Sequence, residues 1–266
     1  MKSIPSSVKF KLIRYWPRAD TKPDTSYTDP AGNIIEEKDH LRDLGVEMTN
    51  DLTFNLHIEN VVAGANKLVG WALRTFRRRS RKLMLTIWKS LVQSKLDYCS
   101  QLWSPNSQGS IAKLESVARN FTAQVAGLDG LDYWERLVKL QMYSQERRRE
   151  RYEIIYIWKV SQHKVQGYTL PFRQSPRLGR VVELPPIARG CPGAVQQAYE
   201  GSLRVKGAKL FNLLPAELRN MDGVMVDTFK AGLDAWLGTV PDQPTIPGRQ
   251  RAANTNSLLD QVPLLS

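Results

Sequence analysis

Apolar residues recur at helical spacing through the central part of the chain. Between positions 54 and 76 they follow one another at steps of three and four residues: Ile58, Val61, Val62, Ala65, Leu68, Val69, Ala72 and Phe76. This is the period of an amphipathic helix that packs one face on a core. Residues that commonly cap helices, Asn50, Asp51 and Thr53, precede the pattern. The sequence therefore predicts a long helix here.

The same apolar spacing returns in four further segments before position 166. Each segment begins at a residue that commonly caps helices, namely Ser80, Ser107 or Ser110, Asp132, and Ser144. The connections between the segments are short, which favours antiparallel neighbours in a helical bundle. We therefore predict a helical bundle over residues 51–166.

The two ends of the chain have a different pattern. Short aromatic and β-branched runs at 9–15, 34–35 and 41–48, with a turn at Pro30-Ala31-Gly32, predict a small β-hairpin element over residues 1–50. Prolines and glycines interrupt every period after position 166, so residues 167–195 are interpreted as a linker. Two further helices, Gln196–Leu213 and Val226–Leu237, are predicted within residues 196–238. The tail, residues 239–266, is predicted to be disordered.

The sequence is predicted to be mainly α, and its net charge indicates the class of partner that it binds. The chain of 266 residues has 38 lysines and arginines against 26 aspartates and glutamates, a formal net charge of +12. Such an excess indicates an anionic partner, most simply nucleic acid, whose phosphates release counterions when they are neutralised. An acidic protein or an anionic membrane surface also fits. No run approaches the roughly twenty apolar residues that span a bilayer, so an intracellular location, nucleus or cytoplasm, is expected.

One basic cluster lacks compensating acidic residues. No aspartate or glutamate lies between Arg74 and Lys95, a stretch that contains Arg74, Arg77, Arg78, Arg79, Arg81, Lys82 and Lys89. Solvated helices usually intersperse carboxylates, so the unbalanced cluster predicts contacts with a nucleic acid backbone, for which the planar arginine side chain is suited. A solvated basic turn or a nuclear-import signal remains the alternative.

A second basic cluster is flanked by acidic residues. Arg147, Arg148, Arg149 and Arg151 lie among Glu146 and Glu150. A salt-bridged helix start explains this pattern at least as well as phosphate binding.

Aromatic residues near the first cluster are candidates for base stacking. Trp71 and Trp103 are the better candidates, because Phe76 and Trp88 fall on or beside the apolar faces, where core packing explains them. Packing remains the alternative for both tryptophans.

The sequence offers little for metal or covalent chemistry. Asp129 and Asp132 are close in sequence, but the first lies in a glycine turn and the second at a predicted cap, so neither is interpreted as a metal ligand. The two cysteines, Cys99 and Cys191, lack zinc-site spacing, and Cys99 is interpreted as a buried thiol. No catalytic residue, metal site or cofactor is predicted for this chain.

A series of short motifs resembles a known family in its order and spacing. The series includes Asp43-Leu44-Gly45-Val46, Arg74-Thr75-Phe76, Leu96-Asp97-Tyr98-Cys99, Trp103-Ser104-Pro105, Tyr133-Trp134-Glu135-Arg136-Leu137 and Leu214-Pro215. Together these motifs resemble the C-terminal part of the reverse transcriptase of LINE-type non-LTR retrotransposons of the jockey and CR1 kind. The resemblance covers most of the chain.

The resemblance implies a fold and an activity. Residues 1–50 would be the palm end, or otherwise an independent small hairpin layer, and residues 51–166 a thumb-like bundle that contacts an RNA/DNA duplex. The family synthesises DNA on RNA with magnesium held by aspartates of the palm, including a Phe/Tyr-x-Asp-Asp turn. No adjacent aspartate pair is present here, so the chain alone is expected to be inactive as a polymerase. The alternatives are a non-catalytic protein-interaction module, of unknown oligomeric state, and a non-functional remnant of a truncated element.

Overall fold

The computed structural model describes residues 10–15, 25–51, 53–176, 179–186, 193–248 and 255–262. The chain divides into two compact units. The smaller unit contains Met1–Asn60 and Ile187–Tyr199, and the larger unit contains Val61–Pro186 and Glu200–Ser266. No helix in the described ranges is both long enough and apolar enough to cross a membrane.

The smaller unit is organised around one antiparallel hairpin. Strand β1 (His40–Asp43) pairs with β2 (Val46–Thr49), with Asp43 opposite Val46. The two connecting residues, Leu44 and Gly45, have φ values of 44° and 88°, as the tight turns of two-residue hairpins require. The runs predicted as earlier strands contribute only isolated bridges, Leu12 with Glu37 and Thr28 with Ile34.

Helices dominate the rest of the chain, which confirms the predicted mainly α fold with a small hairpin near its N-terminus. The longer ones are α1 (Asn55–Thr75), α5 (Gln108–Thr122), α6 (Tyr133–Leu140), α7 (Gln145–Ser161), α8 (Gly193–Gly201) and α11 (Val226–Leu237). The shorter ones are α2 (Arg81–Ile87), α3 (Gln93–Asp97), α4 (Ser100–Trp103), α9 (Ala208–Asn212), α10 (Ala216–Arg219) and α12 (Leu258–Gln261). A π-helical turn, Trp88–Val92, joins α2 to α3, and another, Leu203–Gly207, precedes α9.

Polar caps fix where three of the helices begin. The Ser107 side chain accepts a hydrogen bond from the Ser110 amide, and the Ser144 side chain accepts one from the Arg147 amide, at 3.3 and 3.1 Å. Asp132 forms a reciprocal capping box with Glu135. These bonds satisfy amides that have no partner inside their own helix, and they confirm the starts predicted for α5, α6 and α7.

The core of the larger unit lies between α7, α9 and α11. Trp158 of α7 stacks on Phe229 of α11 with ring centroids 4.4 Å apart and an interplanar angle of 6°. The Trp158 indole nitrogen donates to the Met221 carbonyl at 3.0 Å, so the polar end of the buried ring is satisfied. Trp88 and Phe121 form a second buried aromatic pair, with ring centroids 4.9 Å apart.

The region interpreted as a linker contains a hairpin. Strands β3 (Phe172–Ser175) and β4 (Gly179–Val182) pair antiparallel, and Val181 and Val182 are buried. The Asn212 side chain bonds to the backbone amide and carbonyl of Val182 at 2.8 and 2.9 Å, which pins β4 to α9. Each strand has only four residues, which is too short for an alternating apolar pattern to be recognised in the sequence. Residues 187–192 lie outside the described ranges.

The described part of the tail differs from the predicted disorder. Asn256 and Leu258 are buried, and Leu258 belongs to the core of the larger unit. The Pro-rich composition gave no helical or strand period from which this packing could be predicted, because the order comes from contacts with α7. Residues 249–254 and 263–266 lie outside the described ranges.

A buried glutamate links three helices of the larger unit. Glu115 of α5 accepts hydrogen bonds from the Tyr133 hydroxyl of α6 and from the Gln145 amide of α7, the latter at 2.9 Å. Burial raises the pKa of Glu115 from its ordinary value of 4.5 to about 7, more than the two hydrogen bonds lower it. Glu115 therefore joins α5 to α6 and α7, and the free energy required to ionise this buried carboxyl makes its contribution to stability depend on pH.

The stability of the larger unit should depend on the titration of Glu115. Between pH 4.5 and about 7 the folded chain keeps a proton on Glu115 that the unfolded chain releases. The contribution of this carboxyl to the free energy of unfolding is therefore full below pH 4.5 and declines as the pH rises to about 7. We expect Glu115→Gln, which does not titrate, to flatten this part of the profile in urea unfolding measured at several pH values.

The matched control is Glu217→Gln, the same change at an exposed glutamate, which should leave the profile unchanged. An identical pH dependence for the wild type and Glu115→Gln would contradict the assignment.

Candidate nucleic-acid interface

The outer face of α1 presents basic and aromatic side chains. Lys67, Trp71 and Arg74 are exposed and recur at steps of four and three residues, which puts them on one side of the helix. The opposite side buries Ala65, Val69 and Ala72. Because the apolar side is fixed in the core, the basic side must face solvent. Lys67 was not among the predicted contacts, although its spacing from Trp71 could have identified it.

The connection from α1 to α2 carries the central arginines of the cluster. Arg77 and Arg78 are exposed, whereas Arg79 is half-buried. The Arg79 side chain donates to the Gln124 amide oxygen at 2.5 Å, and its carbonyl accepts from the Ala126 amide at 2.9 Å. Arg79 thus fixes the connection to the end of α5, and its role is structural at least in part.

Helix α2 continues the basic surface. Arg81 and Lys82 in its first turn and Lys89 in the following π-helical turn are exposed, while Met84, Ile87 and Trp88 are buried. The same division into a charged outer side and an apolar inner side therefore holds on both sides of the connection. We call the exposed set the basic surface; its members are Lys67, Arg74, Arg77, Arg78, Arg81, Lys82 and Lys89.

The charges of the basic surface are not neutralised by the described residues of the chain. Where the structure describes the chain, no carboxylate forms an ion pair with Arg74, Arg77, Arg78, Arg81, Lys82 or Lys89. An arginine that is solvated and unpaired keeps its donors available for phosphate oxygens. The surface therefore has the electrostatic character that backbone contacts require.

The structure separates the two tryptophans that were candidates for stacking. Trp71 is 46% exposed and packs edge to face against Phe76, with ring centroids 6.0 Å apart. Trp103 is fully buried, its indole nitrogen donates to the Tyr98 carbonyl at 2.8 Å, and the Arg149 guanidinium lies over its ring. The prediction for Trp103 is therefore wrong, since a ring inside the core has no free face for a base. Helix α4 has only four residues, so no repeating apolar pattern in the sequence could have indicated that Trp103 is buried.

The second arginine cluster is internal, as its acidic neighbours suggested, but apart from the contact of Arg147 with the neighbouring Glu150 its acidic partners are more distant in sequence. Arg148 pairs with Asp97 at 2.8 Å and Arg151 pairs with Asp234 at 2.5 Å. Arg147 and Arg149 are buried, and Arg149 donates to the carbonyls of Gln145 and Leu96. Burial lowers the pKa of Arg149 to about 10. These side chains hold α7 in place and are not available to an external anion.

The structure also bears on the residues considered for other chemistry. Asp132 caps α6, and Asp129 lies in an exposed turn. No group of three or more metal-ligating side chains occurs within the described ranges. Cys99 is exposed and has a φ of 51° between α3 and α4, so its interpretation as a buried thiol is wrong. Cys191 lies outside the described residues.

Comparisons with known proteins leave the family open. The chain matches no protein-family model, no curated protein and no solved structure.

Proposed function

We propose that the basic surface binds the sugar-phosphate backbone of a nucleic acid duplex. The observation that carries the proposal is the exposure of Arg77 and Arg78, together with Arg74 and Arg81, without a carboxylate partner in the described part of the chain. Phosphate neutralisation by such side chains releases condensed counterions and supplies sequence-independent affinity.

The helices on either side support this role by limiting the freedom of the arginines. The inner sides of α1 and α2 are anchored by Ala72 and Met84, and the connection is anchored by Arg79. Holding the backbone of the connection reduces the conformational entropy lost on binding. A rigid surface of one sign of charge also accelerates association with a polyanion.

The resemblance gives this binding a biological setting. As the C-terminal part of a LINE-type reverse transcriptase, the chain would contact the RNA/DNA template–primer duplex next to a catalytic palm that lies elsewhere. In this proposal the chain supplies grip and orientation, and the metal-dependent chemistry belongs to residues that it does not contain.

A protein partner is the second candidate, and one observation favours it. Tyr98 and Leu102 are 52% and 57% exposed, close to each other in sequence near the α3–α4 junction. Exposed apolar side chains that cluster in this way are common at protein interfaces. In that case, the basic charge would contribute to solubility and not to a specific site.

Charge reversal at Arg77 and Arg78 tests the nucleic-acid proposal. We expect the double variant Arg77→Glu/Arg78→Glu to weaken duplex binding. The slope of log Kobs against log salt should also fall, by about 0.9 for each phosphate that the variant no longer neutralises. Fluorescence anisotropy with a labelled RNA/DNA duplex across a salt series measures both quantities. Both side chains are exposed, so folding should not change.

The matched control is Lys139→Glu/Arg204→Glu, which changes the net charge by the same amount at exposed residues outside the basic surface. If both double variants lower affinity equally, the binding reflects overall charge and the proposed site is wrong. If neither changes it, the protein-partner candidate is favoured.

Trp71 provides a separate prediction about bases. A stacked base is worth about 1–3 kcal/mol, so Trp71→Ala should weaken binding to a single-stranded oligonucleotide by about fivefold to 150-fold. A fully paired duplex, whose bases are already stacked, should be affected less. Trp71→Phe retains an aromatic face and should restore most of the affinity. Equal losses on both nucleic acids would assign Trp71 a packing role with Phe76.

A further inference from the structure

The last described segment, Thr255–Val262, docks on the N-terminal half of α7. We call it the strap. Leu258 inserts into the core of the larger unit and is fully buried, and the preceding Asn256 is buried as well. The strap forms the single helical turn α12 over Leu258–Gln261. Most of its contacts with the rest of the chain therefore come from a few consecutive residues.

Two buried charged side chains of α7 form hydrogen bonds with backbone and side-chain groups of the strap. Glu150 accepts hydrogen bonds from the Ser257 hydroxyl at 2.6 Å and from the Leu258 amide at 3.1 Å. The Arg147 guanidinium donates to the Asn256 carbonyl at 3.2 Å and to the Gln261 side chain at 3.4 Å. The Arg147 Nε and Glu150 Oε2 atoms are 3.6 Å apart, and both side chains are buried. The strap therefore supplies hydrogen bonds to an ion pair that is shielded from water.

The Asn256 side chain adds a contact that depends on its identity. Its nitrogen donates to the Ser144 hydroxyl at 3.1 Å and to the Asp242 carboxylate at 2.9 Å. Its oxygen accepts from the Gln243 amide at 2.6 Å. An amide, a hydroxyl and an apolar side chain at three consecutive positions thus each have their own partner. Main-chain bonds combined with side-chain pockets are how folded domains recognise peptides.

We propose that this face of α7 is a peptide-docking site that reads Asn256-Ser257-Leu258, and that it accepts the same segment from a second copy of this chain. None of the contacts depends on the strap being covalently attached. Attachment raises the effective concentration of a chain's own strap to the millimolar range, which favours docking within one chain. A second copy presents the identical segment, so exchange preserves every contact once the first strap has left.

Docking of the strap replaces water at two charged side chains. Without the strap, Glu150 loses the Ser257 and Leu258 donors and Arg147 loses two acceptors. Undocking also exposes these side chains and Leu258 to water, so docking is favoured by the burial of Leu258 together with these hydrogen bonds.

The full chain carrying Leu258→Asp tests the proposal, because a carboxylate at a fully buried position should prevent docking while α7 stays intact. A labelled peptide with the sequence of Thr255–Val262 should bind this variant at least about tenfold more tightly than it binds the wild type, whose own strap competes. Fluorescence anisotropy measures the binding. Leu102→Asp, the same change at an exposed leucine, should behave as the wild type.

Peptide variants test whether binding to the docking site depends on the amino-acid sequence of the peptide. Asn256→Ala in the peptide should weaken binding about tenfold, and a scrambled peptide should not bind. Failure of the unmodified peptide to bind a Leu258→Asp chain that is folded by circular dichroism would overturn the proposal.

Sedimentation of the wild type at high concentration tests the exchange between two copies. It should detect strap-exchanged dimers that Leu258→Asp does not form. If both proteins form dimers equally, the proposed exchange of the strap is wrong.

Hydrogen exchange on the wild type is decisive if Leu258→Asp does not fold. The amides of Leu258 and Val262, which donate to Glu150 and to the Leu258 carbonyl, should exchange at least about tenfold faster than amides in the centre of α7. Equal protection would mean that the strap leaves only when the whole unit unfolds, and an exchangeable strap would then be excluded.

Discussion

The larger unit depends on the burial of charged side chains along the first half of α7. Arg147, Arg149, Glu150 and Glu153 are all nearly inaccessible to water. Removing such groups from water costs several kcal/mol per ion, and only good hydrogen-bond geometry offsets that cost. Their partners come from the chain around α7: the Leu96 carbonyl for Arg149, the loop at Pro241 and the strap for Arg147, the strap for Glu150, and Lys206 for Glu153. These contacts explain why α7 is central to the core.

Two arginine clusters of similar composition thus have opposite roles. Arg77 and Arg78 lie just after the end of α1, beyond the helical face that packs on the core, and their side chains are exposed to solvent. Arg147 and Arg149 sit on a helix that is covered on several sides, and their donors are used by carbonyls of the same chain. Density of positive charge along a sequence does not distinguish these cases. What distinguishes them is whether acceptors converge on the arginine when the chain folds.

This contrast also connects stability with the proposed binding. Glu115 of α5 accepts a hydrogen bond from the Gln145 amide of α7, and the turn after α5 holds the connection between α1 and α2 through Gln124 and Ala126. The exposed arginines are therefore carried on a supported loop. Binding of a polyanion to such a surface needs little reorganisation, because the support is formed by groups that never meet the ligand.

The sequence by itself determined the elements whose information is local. Helical spacing and capping residues located α1, α5, α6 and α7, and the bounds of α11 agree with the predicted Val226–Leu237. The lack of acidic residues after Arg74 identified the members of the basic surface except Lys67, because the polar side of an amphipathic helix faces solvent. Tertiary structure alone decided the burial of Trp103, the exposure of Cys99, the β3–β4 hairpin and the order of the strap. The burial of Trp103, the hairpin and the strap depend on partners far away in sequence, such as Arg149 for Trp103, Asn212 for Val182 or Glu150 for Leu258, and no local pattern encodes a partner that only folding brings near.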